Sequence, residues 1–402
     1  MIKYNKEGLY IGNRIINNAD GQLLKYTGDY SKGNWNLDNN NNVIGFGTIF
    51  YKNGSKFIGS FLNFRREGYG HYLTLQGDKI EINYKDDKKE GFGLIKSKSG
   101  SKYEIEFKND KQEGYGIYYY SDGARYEGYF VNYSKNGYGI KISKLGDKYE
   151  GEFKLNKKEG IGTYCWSNYS IYEGEVKNNF RDGFCIIYKF DGSIFQGEWK
   201  QSKHEGYGFQ KFQNEIIYEG NWVNNRKEGY GMYLWEDKKK YIGYLKDDKK
   251  EGCGILYLPS GEKYKGEWKN DQREGFGIFK NQNGDKYKGE FKNHKKEGYG
   301  ICRYKNGDKY KGQYINDLPE GIGLYVYLNG DKYEGMYQKG YKEGYGLFYY
   351  SNGDRFEGKW KNDKKNGKGI MFYKSGREEK GRWNDDEFQR SFLEKISKLF
   401  VH

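Results

Sequence analysis

The sequence predicts an all-β fold, an elongated single-layer antiparallel sheet built from tandem β-hairpins. Three observations carry this: a strict 23-residue period, apolar alternation of period two inside each repeat, and turn residues at two fixed places in it. The string Glu-Gly-aromatic-Gly begins at Glu67, Glu90 and Glu113. It recurs in close variants every 23 residues as far as Asn366, giving fourteen repeats without an insertion.

Numbered from its leading aromatic, a repeat such as Tyr287 to Lys309 (YKGEFKNHKKEGYGICRYKNGDK) shows what each position requires. Position 1 is Tyr or Phe in 13 of 14 repeats, position 5 is aromatic in 12, position 12 is Gly in all, and position 14 is Gly in 13, with Cys185 the exception. Tyr287, Gly289 and Phe291 share one face of a strand and Lys288, Glu290 and Lys292 the other. A second strand, around Ile301 to Tyr304, lies between the turn-forming segments Asn293 to Gly298 and Asn306-Gly307-Asp308-Lys309. Asn-Gly is the strongest short-range hairpin signal because a type I′ turn needs positive φ at both central residues, so it is read here as such a turn. Gly at position 3 leaves a gap between the rings of positions 1 and 5, and a ring of the neighbouring repeat is expected to fill it. Two strands per repeat at ~4.8 Å advance about 9.6 Å, so fifteen repeats predict a twisted ribbon roughly 140 Å long.

Residues 1–25 read as a degenerate N-terminal cap, with Glu7 to Gly12 as a worn half-repeat, and 26–56 as a first repeat with a polar insertion around Asn36 to Asn42 at a hairpin tip. The fourteen regular repeats span 57–378. In 379–402 a last strand begins at Glu379, and Phe388, Phe392, Ile396 and Leu399 recur at helical spacing. They predict a short amphipathic C-terminal α-helix that covers the final strand edge or binds a partner.

Composition narrows function. The chain has 402 residues, 44 Tyr, 24 Phe and 60 Gly against 2 Pro, and a net charge of +14 in which 56 acidic residues are mixed among 70 basic ones. Aliphatic residues are too few for a thick two-layer core, and the excess charge is diffuse. No apolar run approaches the ~18 residues that span a bilayer, and the start lacks the apolar core of a signal peptide. Cys165, Cys185, Cys253 and Cys302 have no metal-ligand spacing and read as reduced thiols of a cytoplasmic protein. His71, His204, His294 and His402 form no HExxH pair or triad, and no GxxxxGK[ST] occurs. The expectation is therefore no catalytic residue, no metal and no cofactor.

Two collective surfaces remain. The first is the aromatic stripe of positions 1, 5 and 13, for which Trp199, Trp222, Tyr264, Trp268, Phe276, Tyr287, Phe291 and Tyr299 are the candidate partner-binding residues of a groove. The second is position 10, Lys or Arg in 11 of 14 repeats, where Lys227, Lys250, Arg273 and Lys296 would form a basic ridge along the hairpin tips, facing anionic lipid or acidic protein. Nucleic acid is not expected, since the ridge has no reading helix.

Tyr-Glu-Gly-Glu-Phe/Trp, a basic turn, Gly-Tyr-Gly and Asn-Gly-Asp at a 23-residue repeat resembles the MORN (membrane occupation and recognition nexus) family from Tyr26 to about Trp383. The resemblance implies a scaffold or docking rail. Such arrays occur in radial-spoke heads of cilia, cytoskeletal collars, membrane-bridging junctophilins and the N-terminal parts of some phosphoinositide kinases and a lysine methyltransferase. With so few residues flanking the array, neither catalytic domain nor a junctophilin-type tail is expected. The expected setting is a multi-subunit ciliary or cytoskeletal complex with other structural proteins as partners; the alternative is a peripheral adaptor on anionic membrane lipid. Ile82 and Ile105, where position 3 is otherwise Gly, and Leu318-Pro319, where a basic pair is usual, are expected to bend the ribbon or mark a special contact.

Overall fold

The computed structural model describes residues 2–5, 8–11, 14–16, 19–24, 30–40, 42–63 and 65–389. The chain divides into two compact bodies, Met1–Lys203 and His204–His402. Every regular element among the described residues is a β-strand. Ile2–Asn5, Gly8–Ile11 and Arg14–Ile16 make a small antiparallel sheet of their own. Ala19–Leu24 then pairs with Tyr30–Leu37, and from there each body is a succession of antiparallel hairpins whose strands pair with their neighbours along the chain. The polar insertion sits at a hairpin tip between Tyr30–Leu37 and Val43–Phe50, where the Asp38 carboxylate accepts the N–H groups of Asn40 (2.9 Å) and Asn42 (2.8 Å).

A regular repeat is seen in Lys286–Lys292, Lys295–Arg303 and the following Lys309–Ile315. The connection after Lys292 is the two-residue turn Asn293-His294, with φ of 48° and 71°. This, not Asn306-Gly307, is the type I′ turn, because both of its central residues are left-handed. At the other tip the loop spans Tyr304 to Asp308, closed by Gly307 N–H to Tyr304 O (3.0 Å) and Tyr304 N–H to Asp308 O (2.9 Å), and only Gly307 has positive φ (98°). Asn-Gly marks a hairpin here, but the longer loop needs one left-handed residue where the short one needs two.

The glycines of a repeat have two distinct jobs. Gly289 and Gly300 lie directly opposite each other, and the Tyr287 ring lies across both, so that a methyl group on either would fall inside the ring. The ring filling the glycine gap thus belongs to the same repeat, which corrects the expectation of a neighbour's ring. Gly298 has φ of 62° and forms part of a bulge, since the register passes from Gly289↔Gly300 to Glu290↔Glu297. The interrupted ladder leaves the Glu290 carbonyl to accept the Tyr287 hydroxyl at 3.0 Å, and the same bond from position 1 to position 4 recurs at Tyr218, Tyr241, Tyr264, Tyr310 and Tyr333. This accounts for the preference for Tyr over Phe at position 1.

Neighbouring repeats meet edge to face. Tyr264 touches Trp268 of its own repeat (5.2 Å between centroids, 90°) and Phe291 of the next (5.1 Å, 86°). Tyr287 does the same with Phe291 and Tyr314, Tyr310 with Tyr314 and Tyr337, and Tyr333 with Tyr337 and Trp360. Each such contact contributes about 0.5–1.5 kcal/mol beyond area burial. The tips are latched too: the Asp317 carboxylate accepts the Lys296 N–H (2.8 Å), the Lys296 carbonyl accepts the Asp317 N–H (3.0 Å), and Glu297 accepts the Asn316 N–H (3.2 Å). At the opposite edge Asp308 accepts the Leu328 N–H (2.8 Å) and Asp331 the Ser351 N–H (2.7 Å).

Two departures have clear consequences. Ile82 and Ile105 occupy the groove over Gly93 and Gly116 that a position-1 ring takes elsewhere, and both are buried. Displaced from that place, Tyr103 packs against Tyr118, with centroids 4.0 Å apart. At the end of the array the predicted helix is corrected: Asp385 and Asp386 (φ 49° and 71°) make another type I′ turn, and Glu387–Gln389 pairs back on Glu378–Asn384, with Phe388 against Trp383. The turn that ends the first strand of the regular repeats, two left-handed residues that are mostly Asn or Asp, outweighs helical spacing here. Phe392, Ile396 and Leu399 lie outside the described residues.

The two glycine roles separate by mutation. Gly300→Ala, which forces Tyr287 off the sheet, is expected to cost about 1–3 kcal/mol, and Tyr287→Phe about 1 kcal/mol. Gly298→Ala is expected to cost about 1–2 kcal/mol, chiefly through φ, since the Glu290 carboxylate that its methyl would meet can swing aside. Hydrogen exchange of the 287–315 amides checks this: Gly300→Ala should also deprotect the next hairpin, whereas equal protection in all variants would show the ring does not hold the repeats together.

Burial also sets the alkaline limit. It pushes the phenols of Tyr84, Tyr149 and Tyr327 up to about 12, and those of Tyr264, Tyr287, Tyr310 and Tyr333 higher still. An unfolded Tyr ionises near 10, so the folded state holds more protons above that, and this stability is complete below about pH 10 and lost as pH rises toward 12 and beyond. Lys135 and Lys158, lowered by burial to about 8, act oppositely and add stability between about pH 8 and 10.5. The melting temperature should hold or rise slightly up to about pH 9.5 and fall steeply above about pH 10.5, with tyrosinate absorbance appearing in the same transition. Non-cooperative titration of all tyrosines near pH 10 in an intact fold would contradict it.

Candidate partner-binding surface

Because position 14 lies opposite position 3, strand alternation sends position 13 to the other side of the sheet. The aromatic stripe expected as one groove is therefore two surfaces. On the covered side Trp199, Trp222, Tyr264, Trp268, Tyr287 and Phe291 are buried, none more than 6% exposed, and are engaged in the packing described above. Phe276 and Tyr299 stand on the open side, each 48% exposed.

They belong to a row. Phe46, Tyr69, Phe92, Tyr115, Tyr138, Ile161 and Phe184 occupy position 13 in the first body, and Tyr207, Tyr230, Phe276, Tyr299, Ile322 and Tyr345 in the second; all are exposed. The half-buried or exposed aliphatic residues of position 15, such as Ile278, Ile301 and Leu324, lie beside them. Glu residues of the following repeat hold several rings by their hydroxyls: Tyr138 to Glu150, Tyr207 to Glu219 and Tyr345 to Glu357, each 2.6 Å, and Tyr115 to Glu127. Those hydrogen bonds raise the phenol pKa of Tyr138, Tyr207 and Tyr345. The outcome is a row of exposed rings, several of them held in one orientation by a carboxylate. The position-15 aliphatics are what the sequence reading missed, although counting in twos from position 13 would have placed them.

The position-10 cations lie on the covered side, half-buried over rings. Lys227 stands over Phe212, Tyr218, Trp222 and Tyr233, and its side chain is 12% exposed. Lys250 stands over Trp235, Tyr241 and Trp268, Arg273 over Tyr264, Phe279 and Phe291, and Lys296 over Tyr287 and Tyr314. Lys227 and Lys250 also pair with Asp248 (3.6 Å) and Asp271 (3.0 Å). Directly opposite position 5, their aliphatic stems cover the ladder and their heads gain cation–π attraction, so they are part of the packing.

An exposed basic row exists on the open side. Position 2 carries Lys265, Lys288 and Lys311 in three successive repeats, alternating across the strands with Ile278 and Ile301. In the first body the same position carries Glu104, Glu127 and Glu150, paired with Lys102, Arg125 and Lys148. Among the described residues no group of three His, Cys, Asp or Glu side chains could hold a metal ion. Cys185 and Cys302 are buried, and burial pushes the Cys185 thiol up to about 12, away from nucleophilic use.

Comparison with known proteins agrees with the fold. No curated protein matches the chain. Two solved structures share weak likeness: the TCP domain of SAS-4 (dCPAP) from Drosophila melanogaster, in complex with a proline-rich motif of Ana2, at 13% identity over 56% of this chain and 90% of that one, TM-score 0.19, and streptogramin B lyase at 14% identity over 71% and 88%, TM-score 0.13. At those scores neither carries an argument. The MORN repeat profile matches thirteen segments in tandem, from 83–102 and 103–125 through 287–309 to 356–376. With that match across most of its length, and with a hairpin of two strands in each repeat and a glycine-seated ring in most, the chain belongs to the MORN repeat family.

Proposed function

We propose that this chain is a non-enzymatic scaffold, a rail for structural proteins in a ciliary or other cytoskeletal assembly. The observation that carries the scaffold reading is the open-side row of exposed position-13 residues, a ring in most repeats, beside aliphatic neighbours. Exposed apolar patches of that continuity mark protein contact sites, and Tyr and Phe give large contact area at little entropic cost. The ciliary or cytoskeletal setting rests on family likeness alone.

A second reading, a peripheral adaptor on anionic membrane, is favoured by Lys265, Lys288 and Lys311, exposed together on the open side. It moves the lipid-facing surface away from Lys227, Lys250, Arg273 and Lys296, whose heads are occupied by rings.

Proximity labelling and fractionation of cells expressing the tagged chain test the two. The scaffold reading expects cytoskeletal or axonemal neighbours, lost on Tyr299→Ser with Tyr345→Ser while the melting temperature stays within about 2 °C, because surface substitutions cost little. Recovery wholly in detergent-soluble membrane would defeat it. The adaptor reading expects pelleting with phosphatidylserine vesicles that falls with salt and with K265Q/K288Q/K311Q.

A further inference from the structure

Position 5 is the rung by which each repeat touches the ring before it, and in the repeat beginning at Tyr172 that rung is Val176. The ladder loses a ring there. Beside Val176, within the first body, is a cleft of about 220 Å³ lined also by Tyr149, Tyr164, Trp166 and Tyr172; a cleft at the equivalent place in the second body, where the rung is Trp268, is lined by Asp271 and Glu262 as well as Lys250 and Arg273. For scale, a dry apolar cavity of roughly 150 Å³ accepts benzene.

The charge around the Val176 cleft is also unusual. Lys158 reaches in with its ammonium 4.4 Å from the centroids of both Tyr149 and Tyr164, and Arg181, paired directly opposite Val176, stacks 4.0 Å over Trp199. In the repeats of Lys227 and Lys250 an Asp of the next tip both latches the backbone and pairs with the cation. Here Asn179 and Ser202 keep the latch, accepting the N–H groups of Lys158 (2.8 Å) and Arg181 (3.1 Å), but bring no charge. Asp147 acts on Lys158 only at longer range, so the lining holds two cations and no carboxylate. Burial brings the Lys158 ammonium down to about 8, which leaves it charged at neutral pH and short of a counter-ion.

We propose that the Val176 cleft is a binding site for an aromatic ring bearing an anionic group, an aryl carboxylate or aryl phosphate, with the ring seated where other repeats supply their own and the anion held by Lys158 and Arg181. Aromatic walls select the ring, and two half-buried cations with no carboxylate in the lining select the charge. The site stands independently of the scaffold reading. The ligand is a free small acid or the end of a protein chain, such as a C-terminal Phe or a phosphotyrosine.

Calorimetry on the full chain tests this with phenylacetate, phenyl phosphate and toluene. One molecule of an aryl anion should bind per chain, at least tenfold more tightly than toluene. Val176→Phe, which restores the rung, should weaken aryl-anion binding at least tenfold and raise the melting temperature. The K158Q/R181Q double variant should bind the anions no better than toluene, which keeps the test open if Val176→Phe misfolds. Binding of a peptide ending in a free Phe carboxylate, or of a phosphotyrosine peptide, assigns the source to a protein; binding of the free acids alone assigns it to a small molecule. Aryl-anion binding unchanged in Val176→Phe, or no saturable binding of either anion, overturns the proposal.

Discussion

The repeats depend on one contact, a tyrosine ring laid flat across two facing glycines of its own hairpin. Tyr287 over Gly289 and Gly300 is 1% exposed, in a sheet whose strands pair only with their chain neighbours. A Cβ at either glycine would come within 2.5 Å of the Tyr287 side chain, so that ring or sheet must shift; at Cys185, the one position-14 residue that is not Gly, Tyr172 stays buried. Where Ile82 and Ile105 take a glycine's place, they enter the groove themselves; position 1 beside Ile82 is Ile80, and the Tyr103 ring beside Ile105 packs on Tyr118 instead. Everything else on the covered side is arranged around that ring. The position-5 aromatic meets its edge, the bulge presents a carbonyl to its hydroxyl, and the position-10 cation covers it.

Seating the ring this way divides the molecule by task. One side is used up in stabilising the repeats, since rings, glycines and cation stems leave little area for a partner. The other side is left with position 13, position 15 and the charges of positions 2 and 4, none of which the packing requires. Variation is accordingly tolerated there: Glu104, Glu127 and Glu150 in one body give way to Lys265, Lys288 and Lys311 in the other without altering the register. Recognition can differ along the array while its mechanics stay the same. Val176 is the converse case, a change on the covered side that removes a ring beside two cations with no carboxylate among them.

Much of the hairpin was legible because it is local. The period, the strand alternation and the Asx and Gly turns all follow from steric preferences within a few residues. The errors came where a contact spans the repeat or the junction between repeats. The Asn-Gly pair announces a turn, but whether one or two residues are left-handed depends on loop length, which pairing settles. Position 10 reads as a tip cation until its backbone is seen opposite position 5, which lays its stem over a ring. Phe388 fits a helical spacing in sequence, yet Asp385-Asp386 is the same turn seen after the first strand of the regular repeats, and the register brings Phe388 onto Trp383.

From the sequence alone, the 23-residue period and its alternation determined an all-β chain of tandem hairpins and the identity of the residues that build them. Only the tertiary structure decided which repeat's ring fills each glycine gap, which aromatics are spent and which are offered, and where cations lack a carboxylate. The physical reason is that periodicity specifies side-chain direction along a strand, whereas burial depends on what the next hairpin brings across the gap, 19 to 21 residues away in the chain.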